Sequence, residues 1–313
     1  MILTCTPNPS VDHTLEIPEL LQGEILRVQT SRTEAGGKGV NVSRALRRNG
    51  RDTTAVLPVG GAQGAELTAL LGDLPCVRVP ITDATRTNVT VTEADGTTTK
   101  LNSSGPALTP AEIEDLLAAL DAELQRDPRW LVASGSLPGG TPPDLYARIA
   151  RLAAARGVQV ALDTSGKPLE TAAGAGGFAL LKPNMEELAA LLGRPLETVG
   201  DVVGAAREVV SWGNGLVLVT LGAHGALLVD RERTWWAQGP AVVPRSTVGA
   251  GDCSLAGYLA AEGPPEERLC QAVAWGAAAV ALPGTTVPGP ADLRVEEVRL
   301  VADPPAEWRV ADL

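Results

Sequence analysis

Residues 246–261, STVGAGDCSLAGYLAA, place an aspartate where a glycine-rich loop runs into a helix. Apolar residues spaced four apart follow the loop, so Asp252 falls in the first turn of the predicted helix. A helix N-terminus offers unpaired backbone N–H groups and the positive end of the helix dipole. Gly249 and Gly251 lack the Cβ atoms that would keep a phosphoryl group away. The segment therefore predicts a cradle for phosphate.

Asp252 has two roles that fit this position. A carboxylate in the first turn can simply cap the helix or complement its dipole. It can also accept the proton of a substrate hydroxyl during phosphoryl transfer, a reaction that depends mostly on positioning and charge stabilisation. The loop alone does not decide between these roles.

A second glycine-rich loop leads into a helix at residues 35–42, AGGKGVNV. Lys38 is followed by Gly39 instead of serine or threonine, so this is not a Walker A loop, and the glycine spacing is not that of a dinucleotide fold. By itself, Lys38 fits a solvated loop lysine. Upstream, Asp12 fits a turn cap as well as it fits a ligand for substrate hydroxyls.

Polar side chains also follow apolar, strand-like runs, where ligands bind in α/β sheets. Ser136 follows WLVASG, Asn184 follows FALLKP and Thr220 lies within LVLVTLG. Asn184 and Glu187 are three residues apart and share a helix face. They fit ligands of Mg²⁺, which prefers oxygen, and equally an N-cap with its capping-box partner. Gly222 leaves room for close approach of a ligand to the backbone.

Taken in chain order, these segments resemble those of the PfkB (ribokinase-like) carbohydrate kinases. The matching segments are TPNPSVD (6–12), AGGKGVNV (35–42), TRTN (85–88), SGSLP (134–138), KPNMEE (182–187), TLGAHG (220–225) and STVGAGD (246–252). The resemblance implies an α/β protein with the three-layer α/β/α ribokinase-like fold, which has a mostly parallel central sheet and a small β-sheet lid.

The resemblance also implies a role for each motif. Asp252 is the base, and its phosphate cradle consists of Gly249, Ala250 and Gly251. The expected substrate-binding residues are Asp12, Gly37, Lys38, Asn41, Arg86 and Ser136. The expected ATP-binding residues are Lys182, Asn184, Thr220, Gly222 and Gly225, with Glu187 holding Mg²⁺ through water. Asp163 is expected to shape the site, and His224 to face solvent.

The choice of substrate depends on two features of these motifs. Lys38 and Arg86 form, under the resemblance, a cation pair for a phosphate that the sugar already carries. Ser246 replaces an aspartate usual in the family and is associated with the branch that uses fructose 1-phosphate. The resemblance thus implies ATP-dependent phosphorylation of fructose 1-phosphate at O6, giving fructose 1,6-bisphosphate and ADP.

Three alternatives remain open. A kinase of tagatose 6-phosphate or fructose 6-phosphate would use the same parts with the sugar reversed. A catalytically inactive regulator that binds sugar phosphate belongs to a different class, although it would need no base at position 252. A kinase of unphosphorylated sugars or nucleosides would make little use of Lys38 and Arg86.

Composition excludes other classes of function. The net charge of −11 argues against a nucleic-acid partner, because such proteins present a basic face. No apolar stretch is long enough to span a membrane, and the first residues do not form a signal peptide, so we expect a cytoplasmic protein without membrane contact. The four scattered cysteines and two histidines match no zinc spacing and are expected to be reduced thiols and ordinary imidazoles.

The elements that must position these residues alternate between strands and helices from the middle of the chain onward, as in βαβ units. Strands are expected at 130–135, 158–163, 178–183, 216–222 and 226–230, with a helix at 109–125. Residues 87–102 alternate around Asp95-Gly96 and predict a hairpin. We expect one domain over residues 1–313, with a lid from about 9–33 and 86–103 and a homodimer formed through exposed lid strands.

Overall fold

The structure, a computed structural model, describes all residues from Met1 to Leu313. Its strands, in chain order, are β1 (Ile2–Cys5), β2 (Ser10–Ile17), β3 (Thr30–Gly36), β4 (Thr53–Val59), β5 (Cys76–Pro80), β6 (Arg86–Glu93), β7 (Thr98–Leu101), β8 (Trp130–Ser134), β9 (Gln159–Asp163), β10 (Leu180–Leu181), β11 (Leu216–Thr220), β12 (Ala226–Val229), β13 (Thr234–Gln238) and β14 (Arg299–Ala302).

The α-helices lie between these strands and after them. They are α1 (Lys38–Arg48), α2 (Gly61–Leu70), α3 (Pro110–Leu124), α4 (Leu145–Ala154), α5 (Gly166–Ala175), α6 (Met185–Leu192), α7 (Val199–Ser211), α8 (Ala250–Ala260) and α9 (Pro265–Val280). None of them is both long enough and apolar enough to cross a membrane.

Ten strands form one large sheet in the order β14-β13-β12-β11-β10-β9-β8-β1-β4-β5. The pairs from β11 to β5 are parallel, and β12, β13 and β14 add antiparallel strands at one side. Alternate residues of one strand enter different apolar layers: Leu131 lies in one buried cluster, whereas Trp130 and Val132 lie in another. The sheet is therefore covered on both faces, which confirms the three-layer α/β/α fold.

Most elements predicted for the large sheet form where the apolar runs indicate. The exception is the run 178–183, in which β10 keeps only Leu180 and Leu181. Pro183 follows, and it has no N–H to donate to a neighbouring strand. The helix expected at 109–125 begins after Thr109, whose side chain and Glu112 form a capping box.

The other four strands form a small sheet in the order β3-β2-β6-β7. The sequence analysis predicts only its β6–β7 hairpin. β2 also alternates, with Val11, Leu15 and Ile17 between polar residues, whereas β3 is almost wholly polar. In the sheet, Ser10 of β2 pairs with Gly36 of β3 and with Arg86 of β6. Asp12, two residues along β2, pairs with Asn88 of β6. The small sheet therefore places two predicted substrate-binding residues, Asp12 and Arg86, on neighbouring strands.

Candidate active site

Four predicted site residues converge at one edge of the large sheet. Lys182 follows β10, Lys38 and Asn41 lie in the first turn of α1, and Asp252 lies in the first turn of α8. The carboxyl ends of parallel strands meet at one edge, and the helices that follow them begin there. Asp163, the last residue of β9, completes the group.

Asp163 forms ion pairs with two lysines at once. Its Oδ1 lies 2.6 Å from Lys38 Nζ, and its Oδ2 lies 3.1 Å from Lys182 Nζ. Asp163 is 1% exposed, and a charge so deeply buried requires partners. Burial opposes its ionisation, but Lys182 and Lys38 outweigh burial and hold the pKa of Asp163 below its ordinary value. The three groups carry one net positive charge, which suits an anionic ligand.

Lys38 remains a cation in this arrangement. Burial alone would lower the pKa of Lys38, but the nearby carboxylates of Asp163, Asp252 and Glu187 raise it above its ordinary value. About a third of its side chain is exposed, whereas Lys182 is buried. Lys38 can therefore reach a ligand from its place beside Asp163.

Asp252 is held by a residue of another helix. Its Oδ2 accepts a hydrogen bond of 2.8 Å from Asn41 Nδ2, and its side chain makes no capping bond to α8. Burial and the charge of Asp163 raise the pKa of Asp252 to about 6, against the opposing effects of Lys38, Asn41 and Lys182. A carboxylate with such a pKa is ionised at neutral pH and is a better proton acceptor than an ordinary aspartate.

The start of α8 is open to an anion. Gly249 adopts the left-handed conformation, with φ of 79°, and turns the chain into the helix. A Cβ on Gly251 would lie 3.2 Å from Lys182 Nζ, so the ammonium group sits directly beside the first helical turn. The amides of Gly251 and Asp252 lack a helical carbonyl four residues earlier. Ser246 orders the preceding loop, because its Oγ accepts a hydrogen bond of 3.2 Å from the Val248 amide.

The lid side of the site is organised around Asp12. Its Oδ1 accepts hydrogen bonds from Ser10 Oγ at 2.6 Å and from Asn88 Nδ2 at 3.0 Å. A Cβ on Gly36 would overlap the Asp12 carboxylate, which explains the glycine there. Asp12 thus does not cap a turn; it lies in a strand, and its second oxygen is left for a ligand.

Arg86 and Ser136 lie beside this group. Arg86 Nη1 donates to the Ser103 carbonyl at 2.8 Å, while its buried Nε has no partner. Burial lowers the pKa of Arg86 and Asp12 opposes this effect; a guanidinium nevertheless stays charged. Ser136 Oγ lies 3.1 Å from Asn8 Nδ2. Both side chains keep hydrogen-bonding capacity for a ligand.

Asn184 and Glu187 form a capping box at the start of α6. Asn184 Oδ1 accepts from the Glu187 amide at 2.7 Å, and Glu187 Oε2 accepts from the Asn184 amide at 2.9 Å. This bonding occupies only one oxygen of Glu187. No group of three histidine, cysteine or acidic side chains could hold a metal ion. The free oxygen of Glu187 fits a Mg²⁺ ion, which prefers oxygen ligands and usually keeps several waters.

Positions 222 and 225 of TLGAHG are occupied by glycine for different physical reasons. Thr220 forms a bridge with Asn184, so the loops after β10 and β11 are adjacent. Gly222 has open space where a Cβ would lie, which leaves its backbone accessible to a ligand. A Cβ on Gly225 would overlap the backbone of Ala237 in β13, so this glycine is already required by packing.

Sequence reasoning missed two features. Asp163 was assigned only a shaping role, although it is the shared partner of both lysines; its place at the end of an apolar strand was the available signal. The expectation that His224 faces solvent holds only in part: the residue is half-buried, its Nδ1 lies 3.1 Å from the Leu313 carbonyl oxygen, and its own carbonyl accepts from Trp236 Nε1. Nothing in TLGAHG signals these distant partners.

Comparison with known proteins agrees with this geometry. The sequence profile of the family described as pfkB family carbohydrate kinase matches residues 6–292. The 1-phosphofructokinase of Rhodobacter capsulatus is 41% identical over 265 residues, which are 82% of each chain. The ATP-dependent 6-phosphofructokinase isozyme 2 of Escherichia coli is 37% identical over 91% of this chain and 94% of its own. The tetrameric inhibited form of phosphofructokinase-2 from Escherichia coli superposes with a TM-score of 0.84 at 36% identity, covering 91% of this chain and 95% of that one.

Asp163→Asn should move the acidic limb of the pH dependence of kcat toward lower pH. In the wild type, activity should fall as the pH drops through about 6, because Asp252 must be ionised to accept a proton. Asparagine removes a negative charge that raises the pKa of Asp252 and leaves two lysines to favour its ionised form. Initial rates at saturating substrate, measured from about pH 5 to 8, check this shift.

The matched comparison is Asn41→Ala, which removes a hydrogen bond that favours ionised Asp252. Its acidic limb should move toward higher pH. The substrates titrate identically with every variant, so a difference between variants belongs to the protein. If both variants kept the acidic limb of the wild-type pH dependence of kcat, Asp252 would not be the base whose titration limits activity.

Proposed function

The chain belongs to the pfkB family of carbohydrate kinases, and on this premise we propose that it transfers a phosphoryl group from ATP to O6 of fructose 1-phosphate, giving fructose 1,6-bisphosphate and ADP. The observation that supports this proposal most is the buried cluster of Asp252, Lys38, Lys182 and Asp163 at the start of two helices. The cluster sets a base with a raised pKa beside two lysines, whose charges Asp163 balances only in part. The relatives named 1-phosphofructokinase support the choice of acceptor.

In the proposed reaction, Asp252 accepts the proton of the sugar hydroxyl as its oxygen attacks the γ-phosphorus of ATP. Asn41 holds the carboxylate in place by its 2.8 Å hydrogen bond. The free amides of the first turn of α8, together with Lys182 Nζ, bind the oxygens of the transferred group, whose charge they stabilise. Asp163 keeps both lysines oriented without neutralising them fully.

The phosphate already on the sugar is proposed to bind at the lid side, to Lys38, Arg86 and Ser136, while Asp12 binds sugar hydroxyls. Arg86 has a buried Nε without a partner, and Asp12 has one carboxylate oxygen free of hydrogen bonds. Gly37 precedes α1 with φ of 115°, a conformation that suits only glycine and leaves the backbone bare at this point. These residues would orient O6 toward Asp252.

Mg²⁺ is proposed to lie near Glu187, held largely through water. When bound, it would neutralise part of the charge on the phosphates of ATP. This chain contributes the fixed carboxylate of Glu187, which the capping box with Asn184 orients. Thr220, Gly222 and Gly225 are proposed to line the ATP phosphates and ribose, because their loop adjoins Asn184.

Fructose 6-phosphate or tagatose 6-phosphate remains the second candidate acceptor. The 6-phosphofructokinase isozyme 2 of Escherichia coli is 37% identical over 91% of this chain, about as similar as relatives named 1-phosphofructokinase are. A ketohexose with its phosphate at the other end would present a hydroxyl to Asp252 and its phosphate to the same cations.

We also infer that residues 1–313 act as one kinase domain in the cytoplasm. The family match runs from just after β1 into the segment after α9, and the small sheet inserts between elements of the large one. All four cysteines are free thiols, as is usual in a reducing compartment.

An assay of ADP release with fructose 1-phosphate, fructose 6-phosphate and tagatose 6-phosphate tests the acceptor. We expect kcat/KM for fructose 1-phosphate to exceed the other two by at least about tenfold, because a misplaced hydroxyl loses the alignment that catalysis needs. Unphosphorylated fructose is the control for the phosphate itself. A clear preference for either 6-phosphate would overturn the proposed acceptor.

Two sets of variants separate phosphate binding from catalysis. Asp252→Asn should lower kcat by about a hundredfold or more, as expected when a general base is removed, with little change in substrate KM. Lys38→Ala or Arg86→Ala should raise KM for the sugar phosphate by about tenfold or more, because each removes a charged hydrogen bond. Turnover by Asp252→Asn within about tenfold of wild type would contradict the catalytic role and favour a binding protein.

A homodimer formed through the small sheet is the proposed assembly. Leu20, Leu21, Ile25 and Val28, from the segment between β2 and β3, are exposed together with Leu101 of β7, and Ile25 is 97% exposed. Exposed apolar side chains that lie together usually mark an interface, and we propose that these do. Phosphofructokinase-2 from Escherichia coli has a tetrameric inhibited form, so a relative does self-associate.

Sedimentation velocity checks this assembly. The wild type should sediment as a dimer, and Leu101→Lys should shift it toward monomer at micromolar concentration, because a charge enters an apolar interface. Leu300→Lys, which alters an exposed leucine of β14 in the other sheet, is the matched control and should leave the dimer intact. A monomeric wild type, or equal effects of both variants, would contradict the proposal.

A further inference from the structure

Asn8 lies after β1, buried between the loop that carries Ser136 and the segment by which the chain returns from the lid to the core. Its Nδ2 donates to the Ser104 carbonyl at 2.9 Å and lies 3.1 Å from Ser136 Oγ. The Ser104 carbonyl can only accept, so the atom that faces it is the nitrogen of Asn8. The same nitrogen therefore makes the hydroxyl of Ser136 an acceptor on this side.

This bond determines which way the Ser136 hydroxyl can donate. A serine hydroxyl has one hydrogen, and an N–H group directed at the oxygen excludes that hydrogen from the Asn8 side. The hydrogen of Ser136 is then available to a ligand that only accepts. An ionised phosphate is such a ligand, and a hydrogen bond to it is stronger than one between neutral groups.

Residues 102–108, here called the return segment, connect the lid strand β7 to α3. Ser103 in this segment accepts a hydrogen bond from Arg86 Nη1 at 2.8 Å, and its amide donates to Asn88 Oδ1 at 3.2 Å. The next residue, Ser104, accepts from Asn8. Two consecutive residues thus hold Arg86 of the lid and, through Asn8, Ser136 of the core.

The packing of Asn8 keeps its amide in this orientation. It is 2% exposed, and a Cβ on Gly105 of the return segment, where φ is 91°, would overlap the Asn8 carboxamide. Its Oδ1 is buried without a donor, which by itself destabilises the fold. Packing alone therefore does not account for an asparagine here, whereas the two bonds made by its nitrogen do.

We propose that Asn8 is a positioning residue for the sugar-phosphate site. It directs the hydroxyl of Ser136 toward the phosphate and, through Ser104, fixes the position of Ser136 relative to Arg86. This rests on the proposed function, because it takes Ser136 and Arg86 as ligands of the substrate phosphate. Asn8 touches neither substrate nor ATP in this role; it acts through the other two residues.

The test is steady-state kinetics of Asn8→Asp. The carboxylate has the size of the amide but accepts instead of donating, so it draws the Ser136 hydrogen toward itself and adds a negative charge near the phosphate. KM for the sugar phosphate should rise by about tenfold or more, while KM for ATP and kcat at saturation change less than about threefold. Asn8→Ala should raise KM less than Asn8→Asp does, because the hydroxyl can still rotate toward the phosphate.

Asn214→Asp is the matched control. Asn214 is also buried, and its Nδ2 donates to the carbonyls of Ala173 and Val209 on the far side of the core. This variant should be less stable than wild type but keep its KM for both substrates. A similar rise of KM in Asn214→Asp would show that any lost buried amide perturbs the site, and would overturn the specific role of Asn8.

A double-mutant cycle with Ser136→Ala keeps the proposal testable if Asn8→Asp does not fold. In the Ser136→Ala background, Asn8→Ala should raise KM less than it does in the wild type, because the hydroxyl that it orients is gone. Additive effects would overturn the proposal, as would a folded Asn8→Asp enzyme with KM within about twofold of wild type. All values are taken with whichever ketohexose phosphate the wild type turns over, so a preference for a 6-phosphate would refute the proposed acceptor and leave this test intact.

Discussion

The buried carboxylate of Asp163, shared by Lys38 and Lys182, is the constraint on which the site depends. A charge removed from water in this way is tolerated only with close partners, so the end of β9, the residue after β10 and the first turn of α1 must stay together. That requirement joins Lys38 at the start of α1 to Lys182 after β10. The two ammonium groups that share Asp163 then give the edge of the sheet local cations for binding phosphates, in a protein whose net charge is −11.

Asp252 gains its chemistry from the same cluster. Burial and the nearby negative charge of Asp163 raise its pKa to about 6, and the lysines and Asn41 prevent a larger rise. The balance leaves an aspartate that is ionised at neutral pH and still basic enough to accept a proton. In the proposed reaction, the free amides at the start of α8 and Lys182 bind the phosphoryl oxygens together, which no single cationic side chain could do.

The small sheet packs Val11 and Ala35 into a buried apolar cluster and adds short polar bonds around the site. Asp12 is held by Ser10 and Asn88, and the return segment holds Arg86 and Asn8 by consecutive residues. The bonds of Asp12 lie within the small sheet, whereas those of Asn8 join the core to the return segment. Exclusion of water on closure would favour transfer to sugar over hydrolysis.

The sequence by itself determined the fold class and the membership of most site residues, because apolar runs, glycine-rich loops and ordered motifs are local features of the chain. It predicted the strands around Ser136 and Thr220, the helix starts at Lys38 and Ala250, and the capping box of Asn184 and Glu187. Only the tertiary structure decided that Asp163 serves two lysines, that Asn41 holds Asp252, and that Asn8 faces Ser136. The pairs Lys38–Asp163, Asn41–Asp252 and Asn8–Ser136 are each separated by more than a hundred residues. Which side chains meet across such distances depends on strand order and burial, for which a local pattern carries no signal.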